Sequence, residues 1–164
     1  MKVYDIMKYQ MMVIATTPNL VDQLQADLSE YQFAQYLTID SAIQACMQAL
    51  PEIIFFDDQM GSDTLLYALK GVRKGDKIPI VVMIDGDDDA TINRITELGF
   101  FDYLIKPIRS QLVAYRIRQI LLLQQIYQMQ EALRQSEERH RIISNTISDY
   151  AYSYRVLGGG ELKK

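Results

Sequence analysis

The sequence has few of the residues that enzymes use for covalent or metal chemistry. It holds one cysteine, Cys46, and one histidine among 164 residues, so no internal disulfide can form. No segment pairs a nucleophile with a base, spaces metal ligands regularly or surrounds a phosphate with glycines. We therefore expect a non-catalytic protein in which Cys46 is buried and unreactive.

Long apolar runs and an excess of basic charge are also missing. The longest uncharged apolar run, Ile78–Ile84, contains a proline and is far shorter than the ~18 to 20 residues that span a bilayer. The N-terminus carries charges where a secretory signal would be apolar. The net charge is −4 and the pI about 5.0, whereas nucleic acids and anionic membranes attract basic surfaces. We expect a cytoplasmic protein that binds neither nucleic acid nor membrane.

What the chain does contain is an alternation of short apolar runs with segments of helical period. Five runs suit buried strands, since they are rich in β-branched and aromatic residues. Strands that alternate with helices form a parallel sheet covered on both faces, because right-handed crossovers place the helices there. We predict an α/β flavodoxin-like fold with strand order 2-1-3-4-5. The predicted strands are Met11–Ala15, Phe33–Ile39, Pro51–Asp57, Pro79–Ile84 and Phe101–Ile105.

Local signals place the helix ends between these strands. Thr17 followed by Pro18 predicts the start of the first helix, as a hydroxyl N-cap before a proline at the first helical position. Asp40 is the predicted cap of the second helix. Gly99 stands where a left-handed C-terminal cap is needed.

Two charged residues follow predicted strands and form a candidate site. Asp57 ends the third strand and Lys106 follows the fifth, and the carboxyl ends of parallel strands meet at one edge of a sheet. A carboxylate and an ammonium at that edge could hold a phosphoryl group. The alternative is a structural ion pair, since charged residues are common at strand ends.

Three segments resemble the receiver (CheY-like) domain of two-component response regulators. They are Pro51-Glu-Ile-Ile-Phe-Phe-Asp57, Pro79-Ile-Val-Val-Met-Ile84 and Gly99-Phe-Phe-Asp-Tyr103-Leu-Ile-Lys106-Pro107, and the match covers about Met11 to Leu123. The resemblance implies that Asp57 accepts a phosphoryl group from a histidine kinase and that Lys106 contacts its oxygens. It also implies that Tyr103 is the switch aromatic and that the Lys106–Pro107 peptide is cis.

Four positions depart from the pattern of this family. Ala15 and Thr16 stand where the family has an acidic pair that holds Mg²⁺. Ile84 replaces a serine or threonine that bonds the phosphoryl group, and Asp85 replaces a small residue. These departures favour a degenerate pseudo-receiver without a cofactor.

The same departures affect metal and phosphoryl binding directly. Proteins usually bind Mg²⁺ through one or two carboxylates together with water molecules. Here Asp57 is the one carboxylate ligand that the family pattern retains, and the Gln59 backbone is a weak second ligand. The negative charges of Asp58 and Asp85 would repel a phosphoryl group, and Lys106 would be the one positive charge to attract it.

A functional phosphoacceptor at Asp57 with Mg²⁺ is the alternative. A flavodoxin-like small-molecule-binding protein or enzyme is the third hypothesis, but residues 16–19 offer no glycine to a phosphate.

A long helical segment follows the candidate site. From Ile108 to Tyr154 it contains neither proline nor glycine, and its apolar residues recur at alternating spacings of three and four, which is typical of a coiled coil. We predict a homodimer; the alternative is an amphipathic helix packed on its own domain. The predicted stripe comprises Ile108, Leu112, Tyr115, Leu122, Ile126, Met129, Leu133 and Ile143, with Gln119, Ser136 and His140; its dimer seam is Leu122, Ile126, Met129 and Leu133.

The predicted organisation has three parts. Residues 10–123 form the receiver-like domain and residues 124–140 a coiled-coil signalling helix. Residues 141–164 resemble the start of a PAS sensory domain, with a helical entry and a first strand at Tyr150–Val156. The chain is then expected to be the N-terminal piece of a longer signalling protein, with a PAS or other output domain downstream.

Overall fold

A parallel five-stranded sheet forms the core of the N-terminal part of the chain. The computed structural model describes residues 9–72 and 75–158, and within it the strands lie in the order β2-β1-β3-β4-β5. Every neighbouring pair is parallel. The predicted fold class and strand order are therefore confirmed. The strands are β1 Gln10–Ile14, β2 Gln32–Tyr36, β3 Ile53–Asp57, β4 Ile80–Ile84 and β5 Asp102–Ile105.

Helices connect successive strands and cover the sheet. The helices are α1 Leu20–Asp27, α2 Ile39–Gln48, α3 Ser62–Leu69, α4 Asp89–Glu97 and α5 Ser110–Gly158, with short 3-10 turns at Asp58–Met60 and Gly75–Lys77. Every residue of β3 and of β4 is buried, which explains their continuous apolar sequences, since both faces of the sheet are covered. Burying side chains such as Phe55 and Phe56 contributes roughly 1.5 to 3 kcal/mol each. Asp57, at the end of β3, is thus held in a rigid framework.

Two predicted helix starts are wrong. Helix α1 begins at Leu20 rather than at the Thr17–Pro18 pair, and its N-cap Asn19 is left-handed at φ 60°, a conformation that asparagine tolerates. Helix α2 is capped by Thr38, whose hydroxyl accepts a hydrogen bond from the Ser41 N–H at 3.2 Å. Asp40 lies instead in the first turn, where its negative charge interacts favourably with the positive end of the helix dipole.

Other local predictions are confirmed. Gly99 has a φ of 80° after α4, where its lack of a Cβ makes the left-handed conformation accessible. The Lys106–Pro107 peptide is cis. Cys46 is buried and free, and burial raises the pKa of its thiol, which disfavours the reactive thiolate.

The chain divides into two compact units, Met1–Ile120 and Leu121–Lys164. In the first, the start of α5 buries an apolar face within the domain, formed by Val113, Ala114, Ile117 and Ile120. The predicted stripe does not form this face, because Leu112 and Tyr115 are exposed. Sequence spacing did not separate the two faces, since both follow a helical period.

The second unit contains the rest of α5, with a row of exposed apolar side chains. Leu122, Ile126, Met129 and Leu133 are between 41% and 70% exposed. We call these four residues the α5 seam. Charged side chains pair along the helix, with Arg134 bonding Glu131 and lying 3.6 Å from Glu138. Such pairs at spacings of three and four support a solvated helix.

The predicted strand at Tyr150–Val156 is wrong. The backbone there continues α5, which ends at Gly158, because no proline or glycine interrupts the helix before that residue. The rest of the predicted PAS-like segment, residues 159–164, lies outside the described residues. Within residues 9–72 and 75–158, no helix has both the length and the hydrophobicity needed to cross a membrane.

Candidate functional site

The carboxyl edge of the sheet brings Asp57 and Lys106 together. Asp57 is only 3% exposed, and both of its carboxylate oxygens lie 2.9 Å from Lys106 Nζ. The Gln59 backbone N–H also donates to Asp57 Oδ1, at 3.1 Å. The backbone of Lys106 is also held in place, because its N–H donates to the carbonyl of Ile84 at 2.8 Å. The strand ends therefore position a buried carboxylate directly against an ammonium.

A second carboxylate shares the same lysine. Asp85, one residue beyond β4, places Oδ1 3.1 Å from Lys106 Nζ, and the Gln59 side-chain amide donates to Oδ2 of Asp85. Sequence reasoning placed Asp85 near the site but did not identify the Gln59 side chain. Its amide has no sequence signal beyond its position two residues after Asp57. The result is a connected group, Asp57–Lys106–Asp85–Gln59, which we call the lysine network.

The lysine network stabilises the charged form of Lys106. Partial burial by itself would lower the pKa of the ammonium, but hydrogen bonds to Asp57 and Asp85 outweigh it, so the pKa lies above its ordinary value. Opposite charges and hydrogen bonds to the charged form both act in this direction. Lys106 is therefore a permanent cation between two carboxylates.

Asp58, which we predicted to face a phosphoryl group, binds Ser62 and Arg94. Its Oδ1 accepts a hydrogen bond from the Ser62 hydroxyl and its Oδ2 pairs with Arg94 of α4. Burial would raise the pKa of this carboxyl, but the hydrogen bonds from Arg94 and Ser62 lower it below its ordinary value. Arg94 was not predicted, because its approach to Asp58 depends on how α4 packs against the sheet. Lys106 is consequently not the only cation at this edge.

The pairing of Asp58 with Arg94 predicts a pH-dependent stability. Because the pKa of Asp58 is lowered in the folded state, its contribution is complete above the ordinary value of 3.8 and is lost as the pH falls through the lower, folded value. We expect Asp58→Asn to destabilise the protein at neutral pH and progressively less below pH 3.8. Urea unfolding across this range would measure it. Asp87→Asn is the matched control, since in the described part of the chain that side chain has no hydrogen bond or ion pair, and its effect should stay small throughout. An Asp58→Asn effect that grows in acid would contradict the assignment.

The donors at this edge do not fit a magnesium ion. Mg²⁺ needs near-octahedral oxygen ligands, but Ala15 is fully buried without a side-chain oxygen, and its carbonyl accepts a hydrogen bond from Gln35 at 2.8 Å. Both oxygens of Asp57 are engaged by Lys106. Within residues 9–72 and 75–158, no group of three carboxylate, histidine or cysteine side chains could hold a metal.

The remaining candidate residues lie nearby. Ile84 is 2% exposed and is an apolar side chain with no hydroxyl to offer. Thr16 is exposed beyond the end of β1. Tyr103 is partly buried and packs against the main apolar cluster. Asp102, just before it, pairs with Arg116 of α5 at 2.8 Å, which ties β5 to the start of that helix.

Half of the chain is similar in sequence to a transcriptional regulatory protein. No family model matches the chain. The transcriptional regulatory protein AfsQ1 of Streptomyces coelicolor is 23% identical over 82 residues, which are 50% of this chain and 36% of that protein. The matched segment thus spans about a third of the length of that relative.

Solved structures show a stronger likeness in the fold. A response regulator from Desulfuromonas acetoxidans has a TM-score of 0.64 at 19% identity, covering 70% of this chain and 98% of its own. NtrX from Brucella abortus has a TM-score of 0.67 at 19% identity over 78% of this chain and 29% of its own. The receiver domain of the sensor histidine kinase PA1611 from Pseudomonas aeruginosa, with a magnesium ion coordinated in its active-site cleft, has a TM-score of 0.59 at 14% identity over 68% and 96%. The chain therefore has the fold of response regulator receiver domains.

Proposed function

We propose that the chain is a receiver-like regulatory module of a two-component phosphorelay protein whose Asp57 site no longer accepts a phosphoryl group. The observation that carries this proposal is a second carboxylate, Asp85, whose Oδ1 lies 3.1 Å from the same ammonium that Asp57 binds. The fold that the chain shares with receiver domains supports the assignment to a regulatory module. In this account the module is not an enzyme and uses no cofactor.

Electrostatics supports the loss of phosphorylation. A phosphoryl group brings close to −2 charge at neutral pH, and its transfer relies on metal ions and cations that neutralise the transferred oxygens. Here two carboxylates already neutralise the ammonium of Lys106, and the second cation at this edge, Arg94, is paired with Asp58. Ile84 adds no hydrogen-bond donor. An incoming phosphoryl group would therefore meet more negative than positive charge.

A functional phosphoacceptor is the second candidate, and one observation favours it. Asp57 and Lys106 keep the arrangement in which a carboxylate and an ammonium could share a phosphoryl group. In that case a histidine kinase would be the phosphodonor, and Mg²⁺ would have to bind although the edge lacks the oxygen ligands that it needs.

We place the output of the module in α5. The seam residues recur at alternating spacings of four and three, and their side chains are exposed in the single chain. That spacing suits the a and d positions of a coiled coil, so the occupant of the seam is a second copy of the chain. A PAS or other output domain downstream would then receive the state of a homodimer.

Incubation with acetyl phosphate tests the loss of phosphorylation. Transfer would form a bond between a carboxylate oxygen of Asp57 and phosphorus while acetate leaves. We expect the intact mass of the chain to stay unchanged in acetyl phosphate and Mg²⁺, as it must in the Asp57→Asn control. A mass increment of one phosphoryl group that appears in the natural chain and is absent from Asp57→Asn would establish the second candidate instead.

A further inference from the structure

The side chain of Asp85 occupies an unusual place in the lysine network. It lies 3.1 Å from Lys106 Nζ and is 57% exposed, whereas the side chain of Asp57 is 4% exposed. Asp85 is therefore the solvent-accessible carboxylate of the two that bind Lys106. An anion that approached Lys106 from outside would reach this carboxylate first.

Two carboxylates contact the ammonium of Lys106. A lysine ammonium has three N–H donors and no acceptor, and three carboxylate oxygens lie within 3.1 Å of Nζ: Oδ1 and Oδ2 of Asp57 and Oδ1 of Asp85. Two of these oxygens belong to the buried carboxylate of Asp57. The third belongs to the exposed carboxylate of Asp85, so an external oxyanion would compete with it for the ammonium.

Gln59 holds Asp85 in this position. Its side-chain amide donates to the second carboxylate oxygen, and its backbone N–H donates to Asp57 at 3.1 Å. One residue thus joins both carboxylates of the lysine network. Asp85 is oriented from two sides, by Lys106 and by Gln59.

From this geometry we infer that Asp85 is an internal anionic ligand of Lys106 that excludes phosphoryl-like anions from the Asp57 site. The carboxylate takes the donor that an external oxyanion needs and repels that anion with its own charge. This inference rests on the proposed function and identifies Asp85 as the residue that prevents a phosphoryl group from binding Lys106. Asp85 is a specificity-determining residue here and has no catalytic role.

Beryllofluoride tests this inference, since beryllium takes a carboxylate oxygen as a ligand and its fluorines lie where phosphoryl oxygens would. The full chain, Asp85→Ala and Asp87→Ala are titrated in Mg²⁺, and amide shifts are followed at Asp57, Gln59 and Lys106. Asp87→Ala is the matched control, because it removes the same charge from the same loop. Both variants are also made with Thr16→Asp, which adds a carboxylate at the end of β1.

We expect Asp85→Ala to bind beryllofluoride about tenfold or more tightly than the natural chain, as the loss of a like charge a few ångströms away implies. Asp87→Ala should behave as the natural chain does. If Asp85→Ala is folded and stays silent with and without Thr16→Asp, or if Asp87→Ala gains as much, the inference is overturned while the proposed function stands. Strong binding by the natural chain would overturn both.

Discussion

Lys106→Met is expected to lower the free energy of unfolding by roughly 2 to 4 kcal/mol, within or just below the range for a buried ion pair that loses one partner. The cause is the carboxylate of Asp57, which is 3% exposed and, among the described residues, would keep its hydrogen bond from the Gln59 backbone alone. A buried charge without a partner is costly because it has lost its hydration. Urea unfolding at neutral pH measures the change.

Two variants separate this effect from the loss of any lysine. Lys70→Met makes the same change at an exposed position and should alter stability by less than about 0.5 kcal/mol. Adding Asp57→Asn to Lys106→Met should recover much of the loss, because it removes the unpaired charge. Equal effects of Lys106→Met and Lys70→Met would show that the pair contributes little to the fold.

Ile126→Asp combined with Leu133→Asp is expected to convert the proposed dimer into a monomer. Each apolar side chain buried in a dimer contributes roughly 1.5 to 3 kcal/mol, and the double variant removes two from each copy. It also places four carboxylates in one interface, where like charges repel. Sedimentation equilibrium should show the mass falling from that of two chains to that of one.

The control for this variant keeps the charge and moves it off the seam. Tyr127→Asp with Gln128→Asp adds the same two carboxylates at neighbouring exposed positions and should leave the dimer mass unchanged. If the natural chain already sediments as a monomer, or if both pairs act alike, the seam does not join two copies.

The strand framework could be predicted from the sequence because its signal is local. β3 and β4 are continuous apolar runs that end in turns, and this pattern alone identifies buried parallel strands. Helix boundaries were harder, since Thr17, Asn19, Thr38 and Asp40 are all acceptable caps. Tertiary packing selects among them.

The candidate site was predictable only in part. Asp57 ends β3 and Lys106 follows β5, on either side of β4 in the sheet, and parallel strands bring their carboxyl ends to the same edge. The contacts of Asp85 with Gln59 and of Asp58 with Arg94 depend on loop and helix positions that no local pattern encodes. On α5, the buried face and the exposed seam share one helical period, so spacing alone did not show which residues pack within the domain.

The central claim is that this receiver fold signals through α5 without phosphorylation at Asp57. Sedimentation equilibrium of the natural chain with and without Mg²⁺ and acetyl phosphate tests it most directly. We predict a dimer with the same association constant in both conditions, and the same constant for Asp57→Asn. A chain that is monomeric alone and dimerises only with the phosphodonor, in a manner that Asp57→Asn abolishes, would contradict it.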